Sequence, residues 1–275
     1  MKKRVKILLI GILTALCVAC VFATSPSKSS STEEQQIVND KDTITYCSPL
    51  KDRKEQLLYR LAYTVSYNLD NKIPNWVAWK ETKQYANGKL KRTSSNAFRE
   101  DEQVRKPRAT LEDYKHSGWS RGHMYPAGDA KWNKKAMYES FLLTNICPQD
   151  QKLNAGDWEE IESLCRQWAK RYGEIYIVCG PILDKNFSTI GKNKVAVPKA
   201  FFKAVLSMNP EPKAIGFICE NAPNNFNIED YVCSVNKIEQ VTGIDFFPFL
   251  EDSIENKVEA QSNLKLWLRK GNKIK

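Results

Sequence analysis

The chain has 275 residues, 42 Lys and Arg against 32 Asp and Glu, a formal net charge of +10, and only two histidines. No CxxC or HxxxH spacing occurs outside the first residues, which excludes a zinc site of the usual kind. The basic excess favours an anionic partner such as nucleic acid or a membrane surface, although a basic protein with no polyanion accounts for the charge equally well.

The first element is a leader. "MKKRVK" is a basic start, and "ILLIGILTALCVACVFA" is an uncharged apolar run. A small-residue exit at Val21-Phe22-Ala23 makes residues 1–23 an export signal peptide. Cys20 offers a second reading, in which residues 1–19 are removed and Cys20 carries a lipid, the one route by which a membrane would enter. Export to a periplasmic or extracellular location follows from either. A chain starting at Thr24 loses Lys2, Lys3, Arg4 and Lys6 and keeps about +6. Residues 24–43 are polar and Ser-rich, a flexible tether. Residues 44–275 are then enough chain for one large domain.

"KEQLLYRLAYTVSYN" mixes apolar and turn-like residues, and "NWVAWKETKQY" reads as a strand, with a hairpin turn expected at Asn87-Gly88. Downstream, "AGDWEEIESLCRQWAKRYG" places Trp158, Ile161, Cys165 and Trp168 at helical spacing, and Gly173 stops the helix. "EIYIVCGPIL", "KVAVPKAFFKAVLSM" and "KAIGFICEN" are rich in β-branched and aromatic residues and read as strands, the first ending at Gly180-Pro181. Strands, one amphipathic helix, then strands again give an α+β class with an antiparallel sheet and helices packed on it. Six cysteines remain after the leader, an even number that in an exported chain points to disulfides. The expected pairs are Cys147 with Cys165 and Cys219 with Cys233.

Chemistry concentrates at "WSRGHMYPAGD". A lone histidine in a turn is more often structural, but the neighbours of His123 alter that reading. Arg121 lies two residues away, on the same face of an extended segment, where it keeps the imidazole neutral and able to take a proton. Its guanidinium also suits phosphate oxygens. Gly122 permits close approach of a ligand to the backbone. Asn145 and Asn154 flank a Pro-Gln turn before the helix. They fit caps and turns, yet an Asn oxygen can also bind a hard cation. Glu162 and Arg166, four residues apart on the helix, read as a surface ion pair worth a few tenths of a kcal/mol.

Taken together, "SGWSRGHMYPAGD", "LLTNICPQDQKLNAGDWEEIESLCRQWA" and "IYIVCGPIL" resemble the DNA/RNA non-specific endonucleases of the ββα-metal type. That family's signature is Asp-Arg-Gly-His, a later Asn, and an Asn-x-x-x-Trp-x-x-x-Glu segment on the active-site helix. "NAFREDEQV", "KVAVPKAFFKAVL" and "IEQVTGIDFFPFL" also look like family blocks, so the likeness runs from about Tyr46 to Leu250. The resemblance implies a ββα-metal fold with a central, largely antiparallel sheet flanked by helices. It implies a hydrolase of DNA and RNA that uses Mg²⁺, with Mn²⁺ or Ca²⁺ as substitutes, and no protein partner. His123 would be the general base, Asn154 the protein ligand of a hydrated metal, and Glu162 a holder of metal-bound waters. Arg121 and Asn145 would support the phosphate or the histidine's surroundings, and Arg166 would orient Glu162 or contact the phosphate. The family also uses an upstream arginine, for which Arg92 is the choice and Arg99 its rival. Ser120 stands where the family usually has Asp. A relative that binds nucleic acid without cutting it, and a phosphodiesterase acting on another anionic diester, are the alternative readings.

Overall fold

The computed structural model describes residues 45–94, 97–223 and 227–268. The expected leader and tether lie outside the described residues. Strands β1 (Gln56–Tyr59), β2 (Thr64–Asn68) and β3 (Ile73–Thr82) form an antiparallel meander. β3 runs directly into a short helix, α1 (Lys83–Ala86), whose N-cap Thr82 accepts a hydrogen bond from Tyr85 N at 3.1 Å. The hairpin expected at Asn87-Gly88 does not form. Both edges of β3 are already taken, by β2 and by the later strand β6, so no place remains for a hairpin partner. Asn87 instead closes α1, and Gly88 lies so close to the backbone of Lys131 and Trp132 that a Cβ would come within 2.4 Å of it.

Next come α2 (Leu111–Tyr114), β4 (Ser120–His123), α3 (Lys134–Ser140), β5 (Ile146–Gln149), α4 (Gln151–Ala155) and the long α5 (Asp157–Tyr172). They are followed by β6 (Glu174–Ile182), β7 (Thr189–Ile190), β8 (Val195–Ala196), β9 (Ala200–Ser207), β10 (Lys213–Glu220) and β11 (Val232–Cys233). Helices α6 (Val235–Thr242) and α7 (Asp252–Glu259) come last. The main sheet has seven antiparallel strands in the order β1-β2-β3-β6-β9-β10-β11. Gly180-Pro181 does not end β6, which continues to Ile182. Past Cys179 that strand is paired only with β9, so the proline there costs no ladder hydrogen bond to β3.

The sheet is buried on both faces, so its central strands read as continuous apolar runs. Alternation still sorts their side chains. Val77, Trp79, Ile177, Cys179, Phe201 and Val205 pack with Trp158, Ile161 and Cys165 of α5. Trp76, Ala78, Val178, Phe202, Ala204 and Leu206 pack on the opposite face with Ile238 of α6 and Val258 of α7. The expected helical stripe is therefore the inner face of α5, and Gly173 ends that helix at φ 92°. The architecture is α+β, with a large antiparallel sheet flanked by helices.

The six cysteines carry free thiols, which corrects the expected disulfides. Cys233 stands opposite Gly216, three residues from Cys219. An odd offset along a strand puts Cys219 on the other face, and about 10 Å of strand separates it from Gly216, beyond disulfide reach. Cys147 stands opposite Gly122 on β4, whereas Cys165 faces the sheet from α5. Among the described residues no helix is long and apolar enough to cross a membrane.

Candidate active site

β4 and β5 pair antiparallel outside the main sheet, with His123 opposite Ile146 and Ser120 opposite Gln149. Helices α4 and α5 follow directly, so β4 carries Ser120, Arg121 and His123, α4 carries Asn154, and α5 carries Glu162 and Arg166. Gly122 is needed here for a reason other than ligand approach. A Cβ on it would fall 2.1 Å from Gln149 Oε1, so the neighbouring glutamine is what comes close.

His123 ends β4 and is only 7% exposed. Its ring packs between Phe98 (centroids 5.2 Å apart) and Phe141 (5.1 Å). Its carbonyl accepts a 3.3 Å hydrogen bond from Trp158 Nε1, which ties the strand end to α5. Nε2 is buried and has no hydrogen-bond partner. Burial first, then the charges of Arg92 and Arg121, push the imidazole down to about 3, so the ring is neutral at ordinary pH. The Arg121 guanidinium lies 4.3 Å from the Phe98 centroid, and that of exposed Arg92 lies 5.5 Å from the Phe141 centroid. Arg99 is engaged elsewhere, 3.6 Å from the Tyr138 centroid and donating to Ala97 O. Of the two rival arginines, Arg92 is the one whose charge acts on His123.

The two asparagines have different surroundings. Asn145 is fully buried. Its Oδ1 accepts from Tyr125 N at 2.8 Å, and its Nδ2 donates to Tyr125 O at 2.9 Å and Ser140 O at 2.8 Å. With its amide oxygen and both N–H groups committed to Tyr125 and Ser140, it has no N–H left to offer a phosphate. Asn154, on α4, makes one described side-chain contact, Nδ2 donating to Ser120 Oγ at 3.3 Å. Oδ1 is thus the end left to accept. Ser120 Oγ in turn donates to Gln149 O at 2.7 Å. The serine therefore links β4, β5 and Asn154, which a carboxylate could not do because it has no proton to give the carbonyl.

Glu162 faces inward and is 9% exposed. Burial pushes its carboxyl up to about 7, opposed by Lys203 and, less, by Arg166, and reinforced by Asp129. The surface ion pair expected between Glu162 and Arg166 does not form. Arg166 reaches buried Asp129 at 3.0 Å and Glu159 at 3.3 Å instead. Gly128 makes room for this, since a Cβ there would meet Arg166 Nη1 at 2.7 Å. Asp129 also accepts from Trp79 Nε1 at 3.2 Å. Sequence reasoning missed Asp129, Lys203 and Glu81, all buried beneath α5. A single charge inside the apolar run "AFFKAVLS" was the available signal for Lys203.

Asn154 Oδ1 and the Glu162 carboxyl are hard oxygen donors, the kind that suits a hard cation. Among the described residues no group of three or more His, Cys, Asp or Glu could hold a metal. One amide oxygen and one carboxyl acting through water fit a hydrated hard cation better than a dedicated protein cage.

Comparison with known proteins follows the same lines. The chain is similar to the mitochondrial nuclease EXOG of Danio rerio, 35% identical over 206 residues, covering 69% of this chain and 60% of the relative. It is also similar to the mitochondrial endonuclease G of Bos taurus, 30% identical over 208 residues, covering 70% of this chain and 69% of the relative. The chain spans about 60% of the length of the EXOG relatives it matches. Those names point to a mitochondrial rather than a periplasmic or extracellular setting, so the expectation of export, with its lipid anchor at Cys20, is corrected. A crystal structure of the EndoG/EndoGI complex shares the fold, with a TM-score of 0.67 and 24% identity over 83% of this chain and 95% of that one. The sequence profile of the DNA/RNA non-specific endonucleases matches residues 40–253, and with this fold and these relatives the chain belongs to that family.

Proposed function

We propose that this protein is a metal-dependent endonuclease that hydrolyses phosphodiester bonds of DNA and RNA without strong sequence preference. The observation that carries the reading is His123. A neutral imidazole with an unpartnered Nε2, flanked by two guanidiniums, can take a proton, and its basicity would rise once a substrate phosphate offsets the arginine charges that depress it. Nε2 takes a proton from water as the water oxygen attacks phosphorus and the bond to the 3′ oxygen breaks. Arg121 and Arg92 hold the non-bridging oxygens as negative charge builds on them.

Asn154 Oδ1, with Glu162 acting through water, would hold Mg²⁺, for which Mn²⁺ or Ca²⁺ could substitute. When bound, the cation supplies charge stabilisation at the phosphate and the leaving oxygen. Ser120 orients Asn154 by accepting from its Nδ2. Arg166 keeps Asp129 neutralised beneath the helix and does not itself need to reach the substrate. The basic surface suits contacts to backbone phosphates, which carry no sequence information.

The test is a nicking assay on supercoiled DNA and on RNA, with Mg²⁺ or EDTA, for the wild-type chain, His123→Ala and Asn154→Ala. Cleavage that needs the metal and both side chains is expected. Cleavage that persists in His123→Ala would remove the assigned base. Binding without cleavage by the wild type would favour a non-cutting relative, and hydrolysis confined to other diesters would favour a phosphodiesterase.

A further inference from the structure

We propose that Lys203 is a positioning residue of this site: its buried ammonium, held between the Trp158 and Trp79 rings under α5, is the fixed countercharge that sets Glu162. The inference rests on the role given to Glu162 above.

Lys203 occupies the middle of β9, opposite Cys179 of β6. Phe201 and Val205, two residues away on either side, pack on the α5 side of the sheet, so alternation puts Lys203 there too. Its relative exposure is 0%. Lysines on sheet edges snorkel to water. This one has β6 on one side and β10 on the other, and a helix above. Nζ stops 4.3 Å from the Trp158 centroid and 5.4 Å from the Trp79 centroid, and has no hydrogen-bond partner. Two indole faces stabilise a cation, but burying an ammonium still costs several kcal/mol, and an apolar residue of the same length would fill the space without that cost. The charge therefore needs a purpose that packing does not supply.

The surroundings indicate the purpose. Trp158 lies one helical turn before Glu162, so a cation seated on its ring is placed beneath that carboxylate. Asp129 is bonded to Trp79 Nε1, which brings it to the same patch, but it already has Arg166. Glu81, fully buried on β3, has both carboxylate oxygens unpartnered, burial raises its carboxyl well above the usual range, and it is not among the charges that hold the Lys203 ammonium. Glu162 has no hydrogen bond or ion pair among the described residues; two cations act on its charge, Lys203 first and then Arg166, and Arg166 is already paired with Asp129 and Glu159. Burial opposes the Lys203 charge, and Cys179, Glu162, Cys165 and Asp129 outweigh it, so the ammonium stays protonated. Lying under the helix, Lys203 cannot touch a substrate. Its loss should therefore act on turnover and leave substrate binding intact.

The competing reading is a core charge that only balances its neighbours. Lys203→Met in the full chain, alone and with Glu162→Gln, separates the two. Steady-state cleavage of a DNA duplex with Mg²⁺ gives kcat and KM, and urea unfolding gives stability. The expected result is a fall in kcat of about 100-fold with KM changed less than about threefold, and a double variant no slower than Glu162→Gln alone. Losses that multiply in the double variant, or a kcat within about threefold of wild type, would overturn the proposal. If Lys203→Met does not fold, the ¹⁵N-lysine spectrum of the wild type decides. The Lys203 ammonium, displaced by the ring currents of two indoles, should move on Glu162→Gln, and an unmoved resonance refutes the pairing. If the wild type cleaves nothing, the functional reading fails, while the spectrum still reports whether Lys203 and Glu162 are partners.

Discussion

Asn145 and Asn154 look interchangeable in the sequence, and the structure predicts that they are not. Asn145→Ala strands one N–H and two carbonyls in a fully buried setting, those of Tyr125 and Ser140. At roughly 1–3 kcal/mol for each buried polar group left unpaired, and with some relaxation, the loss should be about 3–6 kcal/mol. Asn154→Ala removes a single 3.3 Å hydrogen bond from a half-buried side chain, so its cost should stay near or below about 1 kcal/mol. Activity should respond in the opposite sense. Asn154→Ala should be well folded and lose nearly all metal-dependent nicking, whereas Asn145→Ala should lose activity through its stability and the seating of His123. Urea unfolding followed by tryptophan fluorescence measures the first effect, and plasmid nicking at a temperature where both variants are folded measures the second. An Asn145→Ala protein within 1 kcal/mol of wild type, or an Asn154→Ala protein as unstable as Asn145→Ala, would refute this division.

His123 gives a pH prediction whose sign is fixed. Its folded value of about 3 lies below the ordinary 6.5, so the unfolded chain binds more protons between these limits. Its contribution to stability is present above pH 6.5 and lost as the pH falls towards 3; the urea midpoint should drop over that window and drop less in His123→Phe. Arg92→Met should lower kcat/KM by about 100-fold, and Arg99→Met by less than about threefold, since of these two arginines Arg92 alone acts on the imidazole. An equal effect of the two would remove Arg92 from its role. Ser120→Asp replaces the donor to Gln149 O by a second acceptor, so it should destabilise the chain by about 1–3 kcal/mol and not raise nicking. A gain of orders of magnitude would show that serine limits the natural protein.

Several elements were legible because the local pattern and the global packing agree. The stripe of Trp158, Ile161, Cys165 and Trp168 has helical period, and those residues are the inner face of α5. β-branched and aromatic runs marked β6, β9 and β10. What misled was local chemistry that tertiary structure overrides. Asn87-Gly88 favours a hairpin, but β3 has no free edge to pair with. Gly180-Pro181 favours a stop, but the ladder to β3 has already ended there, so the proline breaks no pairing. Cys219 and Cys233 are near in sequence, and strand register alone keeps them apart.

The site was legible as an inventory and illegible as an arrangement. The reading of Glu162 and Arg166 as a surface pair came from helical spacing, which says how two side chains sit relative to each other and nothing of what faces them from other strands. Asp129 faces them, reached through the space left by Gly128, and it takes the arginine. That capture leaves Glu162 without the partner its own helix offered. The buried cation of the described residues that acts most on Glu162 comes from β9, more than thirty residues further along the chain. Periodicity cannot connect these residues, but strand alternation can once β9 is known to be central. Phe201, Lys203 and Val205 must then share a face, and a charge flanked by two core residues on one face of a central strand has to be inside. A lone charge at a core position of such a strand therefore marks a residue whose partner is to be sought on the element packed above it.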